Sequence, residues 1–501
     1  MIFSPSYLIT VPIIVAFLTP LLGKKILKYL ATIVMAFEVL VSTYLYLKSV
    51  DGTVVEYLGN RQAPIGIALA VDHFNAMFMV LFTAIGFLAS LYLLFRKDMK
   101  TGFVMLFMIS IAASIGVVIT SDMFNMFVFL EIVSVSTYAL VSADGKKHDF
   151  AASLRYLIMG SVSSTFILFG IAIIYAFTGT LNMAHITQNL NLIPERTAAI
   201  AFGFFLVGLA IEAELFPLNA WVPDAYESSP TPVVIVLSGI VSKMGIYAMA
   251  RIMFTVLGNS GYAWYGNALN LLMVISVITI IVGELVALRQ INIKRVLAYS
   301  SVAQAGMIMF AFSINDSRAF TAAMFLVFAH SIAKTMMFTS SDTFHKSMGS
   351  FNIPDLKGIG RKMPIASLGF TLGVFTLIGI PFLPGFWGKL YMLISLLPNG
   401  SNLLTDSSLI KLGLISLILL ASMAEVLYYF RVLNVMYNIK DISLKAVPRE
   451  TIAVCIFITV VGIGALLLLG IYPESVLNVF RDGGNALVNT SGYIAKVLGG
   501  A

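Results

Sequence analysis

Lys243, Lys334 and Lys389 lie deep in runs that are otherwise apolar, and Glu131 and Glu212 stand in equally apolar company. A lysine or aspartate at the centre of a membrane helix costs roughly 2.5 to 3.5 kcal/mol on insertion scales, so several in one chain call for an offsetting use. Ionisable groups so placed are suited to carrying protons or small cations. The hold of a buried lysine on its proton depends on its solvation and on any neighbouring carboxylate, so moving the partner switches it. Lys243 fits that scheme, with Gly239 one turn earlier where a neighbouring helix can approach closely.

His330 and Lys334 are four residues apart and share a helical face. A lone buried histidine is more often a packed hydrogen-bonding residue, but beside a buried lysine a group titrating near neutrality reads as a carrier. Glu131 has Ser134 three residues on, whose hydroxyl is placed to solvate it; the bland alternative is an ion pair locking two helices. Glu212 and Glu214 differ by about 200° around a helix, so only one of them, with Glu212 favoured, can face the relay. Glu214 and Glu425 are further relay candidates, and Glu38 is left open. Glu284, about a turn from a helix end, and Arg431 read as headgroup-level residues.

Other chemistries find no foothold. Cys455 is the single cysteine, which leaves no disulfide, no CxxC pair and no ligand set for an Fe–S cluster. His330 and Lys334 have no further His or Cys at metal-ligand spacing, and the phosphate-loop, HExxH and GxSxG patterns are absent. The expectation is no cofactor and no metal in this chain, and no redox or hydrolytic site of its own.

The elements that position these charges are membrane helices. The 501 residues are 59% hydrophobic and 11% charged, with mean hydropathy +0.95, and no polar block is large enough to fold separately. That predicts an all-α polytopic protein, a single integral membrane domain over 1–501. The net charge of +7 suits nucleic acid in principle, but the basic residues fall in short loops where topology explains them. The first apolar stretch reads as a retained helix and not a cleaved signal. About fourteen crossings are predicted, near 4–22, 27–48, 73–95, 101–120, 122–142, 152–178, 198–217, 231–256, 268–289, 294–313, 318–341, 364–396, 409–437 and 449–471. With alternate loops on opposite sides, Lys and Arg divide better than two to one, with Arg251 counted among the loops of the poorer side; both termini are then non-cytoplasmic. The seventh crossing, ending Glu212-Ala-Glu-Leu-Phe-Pro217, and the twelfth, containing Gly379-Ile-Pro381-Phe-Leu-Pro384-Gly385, are predicted to break. Broken backbone beside buried charge is how transporter sites are built.

These residues resemble a known family. Phe216-Pro-Leu-Asn-Ala-Trp-Val-Pro-Asp-Ala-Tyr226, Ser229-Pro-Thr-Pro232, Ser238-Gly239 leading to Lys243, Asn292-Ile-Lys-Arg295 with Tyr299-Ser-Ser301, His330 to Lys334, Asp355-Leu-Lys-Gly358 and Pro384-Gly-Phe-Trp-Gly-Lys389 occur in order. Together they are similar to the antiporter-like membrane subunits of respiratory complex I, of Mrp-type sodium/proton antiporters and of membrane-bound energy-converting hydrogenases. The resemblance implies fourteen helices with two inverted five-helix repeats, helices 4 to 8 (101–289) and 9 to 13 (294–437), broken at helices 7 and 12. It implies Glu131 as the carboxylate of helix five, Lys243 as the lysine of helix eight, Lys334 as the basic group of helix ten and Lys389 as the lysine of helix twelve. By helix order it sets Glu131 against Lys334, Glu212 against Lys389 and Lys243 against Glu425. Two positions depart from the pattern. Glu212 stands where most of the family has lysine, so either Glu131 finds its cation in Lys243 or Glu131 and Glu212 share protons or a cation. Gln304 stands where complex I subunits often carry histidine.

The function expected is an ion-translocating subunit of a larger membrane complex, moving protons, alone or with sodium in exchange, along Glu131, Glu212, Lys243, His330, Lys334 and Lys389. Its partners would be other membrane subunits, with lipid around it and no nucleic acid, and its energy would come either from redox chemistry in a peripheral module or from an opposing ion gradient in an Mrp-like assembly. The alternatives are a secondary transporter acting alone on a small substrate, and a membrane anchor whose charges are inert pairs.

Overall fold

The computed structural model describes residues 3–95, 100–397, 406–439 and 444–499; Arg96, Lys97 and Lys440, counted in the charge bias, lie outside them. The chain is overwhelmingly helical, as it must be where no water is available to satisfy backbone groups. In order the helices are α1 (Tyr7–Leu18), α2 (Lys24–Ser49), α3 (His73–Phe95), α4 (Thr101–Ile119), α5 (Met123–Val141), α6 (Lys147–Thr178), α7 (Met183–Gln188) and α8 (Glu195–Glu212). After the first break come α9 (Val222–Ser228), α10 (Thr231–Val236), α11 (Ser242–Ala250), α12 (Tyr265–Arg289), α13 (Ile293–Ser313), α14 (Ser317–Met348) and α15 (Ile359–Lys362). The remainder are α16 (Pro364–Ile378), α17 (Pro384–Leu396), α18 (Asp406–Tyr437), α19 (Arg449–Ile471), α20 (Pro473–Val488) and α21 (Thr490–Val497). Two short antiparallel strands, β1 (Val54–Tyr57) and β2 (Ala68–Val71), bridge α2 and α3.

Among the described residues eleven helices are long and apolar enough to cross a membrane, taking Thr231–Val256 as one. The other three expected crossings are α1, α8 and the pair α16–α17. The first is short, α8 carries charge at both ends, and the last is interrupted.

The chain divides into two compact units. The first holds residues 1–214, 228–268 and 482–501. Its centre is the Thr231–Val256 segment, entirely buried and containing π-helical turns at Leu237–Val241 and Arg251–Val256. Arg251, expected in a loop, lies inside this segment, 2% exposed, and pairs with Asp72 at 2.7 Å. The cationic side chain also faces the rings of Phe74, Tyr247 and Tyr493. The second unit holds residues 215–227 and 269–481, so it takes in nearly all of α12. Its core is α13 and α14, both almost wholly buried.

Both predicted breaks are present. α8 stops at Glu212, and Glu214 adopts a left-handed φ of 62°, which ends the helix. α16 stops at Gly379 (φ 88°), and Phe382 (φ 71°) precedes the restart at Pro384. The motif residues after the first break serve to hold it. Arg295 pairs with Asp224 (3.0 Å) and Glu227 (2.9 Å), Asn292 donates to Glu227 (2.9 Å), and Lys294 donates to the Glu227 carbonyl (3.1 Å). Phe216 N–H is satisfied by the Thr279 hydroxyl at 3.0 Å. The freed backbone of the break is thus tied to α12 and α13, which is why the two sequence motifs occur together.

Candidate functional site

In the first unit the charges fall into two groups. Lys243 is fully buried at the start of α11, and its ammonium donates to the Ser238 carbonyl (3.0 Å) and the Ser242 hydroxyl (2.8 Å). Ser238 belongs to the adjoining π-helical turn and Ser242 follows it directly, a local widening of the kind that recurs at functional sites. The carboxylate whose charge acts on Lys243 is Glu214, not Glu131. Gly245, half a turn on, makes this possible. A Cβ there would stand 2.5 Å from the Glu212 carbonyl carbon and 2.7 Å from Ala213 N, so α11 lies directly on the end of α8. Gly239 makes the expected close approach, to Ile85 of α3.

The second group is acidic. Glu131 on α5 receives a hydrogen bond from Ser164 of α6, while Ser134, expected to solvate it, bonds to Tyr138 instead. Ser134 shares the face, but its short side chain meets the adjacent tyrosine ring first. Glu212, 3% exposed, lies beside the Ser163 hydroxyl, which donates to the Gly208 carbonyl (2.8 Å), and its oxygen Oε2 has no hydrogen-bond partner. The charges of Glu131 and Glu212 act on each other and on Tyr138, whose ring lies 4.5 Å from that of Tyr156. Two carboxylates, two neighbouring serines and two tyrosines therefore gather here. Of the two arrangements left open by the sequence, this one has the acids facing each other.

The second unit holds one connected network. His330 and Lys334, both at 0% exposure, reach from α14 to α13 in step: His330 Nε2 meets Ser301 Oγ at 3.2 Å, and Lys334 donates to the Leu297 carbonyl at 2.8 Å. Lys334 lies on the eleventh expected crossing, one helix later than the helix ten assigned to it. It also donates to Tyr429 (3.3 Å), which is bonded to Ser300 (2.7 Å). Lys389, in the restart of the broken helix, pairs with Glu425 at 2.7 Å and donates to the Ile378 carbonyl at 3.3 Å, the last turn of α16. The negative end of a helix dipole thus adds to the carboxylate in holding that cation. Gln304, the second departure from the family pattern, donates to the other Glu425 oxygen at 2.9 Å.

Glu284 contradicts its expected place. It is 1% exposed, and Glu425, Lys389 and Lys334 all act on it. Nearness to a helix end misled, because the side chain points towards α18 and not along the membrane surface. The usable signal was Gly283: a Cβ there would stand 2.7 Å from Ala303 N, so α12 touches α13 one residue before Glu284 and Gln304. Ser163, Ser164 and Tyr429 were also missed, as hydroxyls carry no signature in an apolar run. Arg431 is exposed as expected and donates to the Leu288 and Gln290 carbonyls, both at 2.7 Å. Among the described residues no group of three or more His, Cys, Asp or Glu is placed to hold a metal ion.

The family model described as NADH:quinone oxidoreductase/Mrp antiporter, transmembrane, matches residues 120–416, more than half of the chain. The chain belongs to this family. Among its relatives in the antiporter-like family, NADH-quinone oxidoreductase subunit N of Desulforudis audaxviator is 29% identical, with 84% of this chain and 85% of the relative covered. A Na(+)/H(+) antiporter subunit of Alkalihalophilus pseudofirmus is 29% identical over 76% of each chain. Among solved structures, a chain of the membrane-bound sulfane sulfur reductase, an archaeal respiratory membrane complex, superposes with TM-score 0.90 at 34% identity over 99% of both chains. The alternative of a transporter acting alone falls here, since these antiporter-like relatives are subunits of multisubunit complexes.

Proposed function

We propose that the chain translocates protons, with or without sodium in exchange, as the antiporter-like subunit of a multisubunit complex in a prokaryotic plasma membrane. Other membrane subunits are its partners, and the energy comes from redox chemistry in a peripheral module or from an opposing ion gradient. The observation that carries this reading is the Lys389–Glu425 pair, buried beside a helix break and joined through Gln304 to α13. The relay comprises Glu131, Glu212, Lys243, His330, Lys334 and Lys389, with Glu214 as partner of Lys243 and Glu425 as partner of Lys389. Both termini are non-cytoplasmic, a reading supported by the charge bias of the loops.

Two inverted repeats are part of the proposal, and paired backbone contacts support them. Met123 N–H bonds to the Leu181 carbonyl and Met183 N–H to that of Ser121, both at 2.8 Å. Ile293 and Ile353 make the same reciprocal pair with Phe351 and Ile291, both at 2.9 Å, 170 positions later. That offset equates α5 with α13 and α6 with α14, and puts α12 at the head of the second repeat. Lys334 then answers to Ser164, the residue bonded to Glu131, and not to Glu131 itself.

In the first unit Glu131 and Glu212 share a proton or a cation, and Lys243 works against Glu214. The experiment is Lys243→Ala in the intact complex reconstituted into liposomes, with copurifying subunits counted. Loss of translocation with assembly retained is the expected result; unchanged translocation would leave only the inert-anchor reading.

A further inference from the structure

Glu284 belongs to none of the roles assigned so far, yet it stands among the charges of the second unit. Three contacts fix its position. Gly283 packs against Ala303, which brings Glu284 of α12 beside Gln304 of α13, and Gln304 already holds Glu425. Arg431 clamps the carbonyls of Leu288 and Gln290, so α18 is pinned to α12 about a turn beyond Glu284 and Glu425. Lys389 of α17 and Lys334 of α14 complete the charged surroundings, with the tilted ring pair Tyr428 and Tyr429 of α18 beside them and Tyr429 bonded to Ser300 of α13.

Within that network the other groups are committed. Lys389 is paired with Glu425, Lys334 bonds to Leu297 and Tyr429, and Glu425 has both oxygens occupied, by Lys389 and Gln304. Glu284 forms no ion pair among the described residues; its neighbouring hydroxyl is that of Tyr428, and the charges of Glu425, Lys389 and Lys334 all act on it. Glu38 is equally buried, but among the described residues no charged group acts on it. A carboxyl buried among two lysines and a second carboxyl without an ion pair of its own is costly unless it is used.

We infer that Glu284 is a proton-carrying residue that links Lys334 to the Lys389–Glu425 pair. The Lys334 ammonium loses a proton to the Glu284 carboxylate, which breaks an N–H bond, forms an O–H bond and leaves a neutral amine and a neutral carboxyl. The carboxyl then passes the proton to the Glu425 carboxylate, returning Glu284 to its anionic form and removing the counter-ion of Lys389. Each step conserves charge and needs no further reactant. The consequence is a switch: protonating Glu425 through Glu284 releases the cation held at the end of α16.

This inference rests on the proposed function, so the test separates the two. The whole complex is reconstituted with a pH dye inside liposomes, and Glu284→Gln, Glu284→Asp and Lys389→Met are compared with the natural sequence. Glu284→Gln keeps size and polarity but cannot exchange a proton, and translocation should fall at least tenfold with subunit content unchanged; Glu284→Asp should recover a substantial part. Normal pumping by Glu284→Gln while Lys389→Met is dead would overturn the role of Glu284 alone. Normal pumping by both would overturn the proposed function. Should Glu284→Gln not assemble, Glu284→Asp decides: a displaced pH profile of translocation supports the inference, and an unmoved profile refutes it.

Discussion

Replacing Lys389 by Met removes the cation from a pair that the structure places almost out of reach of solvent. At 2.7 Å, two unit charges attract by about 6 kcal/mol at an effective dielectric constant of about 20. Taking one partner of a buried pair away usually costs about 3 to 5 kcal/mol, because the remaining charge is left uncompensated. The residue left behind is Glu425, at 0% exposure and with Gln304 as its one other hydrogen-bond donor among the described residues. Lys389→Met should therefore lower the apparent Tm of the complex, followed by fluorescence-detected size exclusion after heating. Adding Glu425→Gln should restore most of it, since an uncharged pair of similar volume carries no desolvation penalty. Translocation should stay absent in the double variant. The two readouts separate packing from transport: if the double variant both recovers the stability and pumps, the pair is a structural lock and the relay reasoning is refuted. If Lys389→Met alone leaves the apparent Tm unchanged, the coulombic part of the argument fails.

Three more outcomes are expected. Glu212→Lys should not reach full translocation, because Lys243 already serves the Glu214 side and Glu131 is held by Ser164; full activity of Glu212→Lys with an inactive Glu212→Gln would show that this position needs a cation. Gly245→Ala should destabilise by about 1 to 3 kcal/mol, as the added methyl meets backbone that cannot yield, and a thermal melt equal to that of the natural sequence would count against the α8–α11 contact. Tyr429→Phe should cost about 1 kcal/mol in stability and shift the pH profile of translocation, since it removes the hydroxyl shared by Ser300 and Lys334; an unmoved profile would take Tyr429 out of the network.

Much of this site could be read from the sequence because its signals are large. Apolar runs give helices in lipid without competition, and Pro217, Pro381 and Pro384 mark the breaks since proline removes a helical bond wherever it sits. The step of four between His330 and Lys334 survives as two parallel contacts to α13, at Ser301 and Leu297. What was hidden depends on which way a side chain points. Glu284 and Arg431 are both near helix ends, yet one is buried and the other exposed, and only the partner helix decides. Arg251 reads as a loop charge until Asp72 is found 179 positions earlier to neutralise it. The choice of Ser164 over Ser134 for Glu131 is a matter of which helix comes nearer, and an i, i+3 rule cannot see another helix.

The reciprocal backbone pairs at 121–183 and 291–353 also bear on how the chain is made. Each ties the start of one helical hairpin, α5–α6 or α13–α14, to the residues just after its end, using main-chain groups alone. Such a clasp closes over a span of about sixty residues and waits for nothing further along the chain. During synthesis, chains are completed from the amino end and units settle as they emerge. Each hairpin can therefore fasten before its broken helix has entered the membrane, so Lys243 and Lys389 arrive at a scaffold already shut at one end.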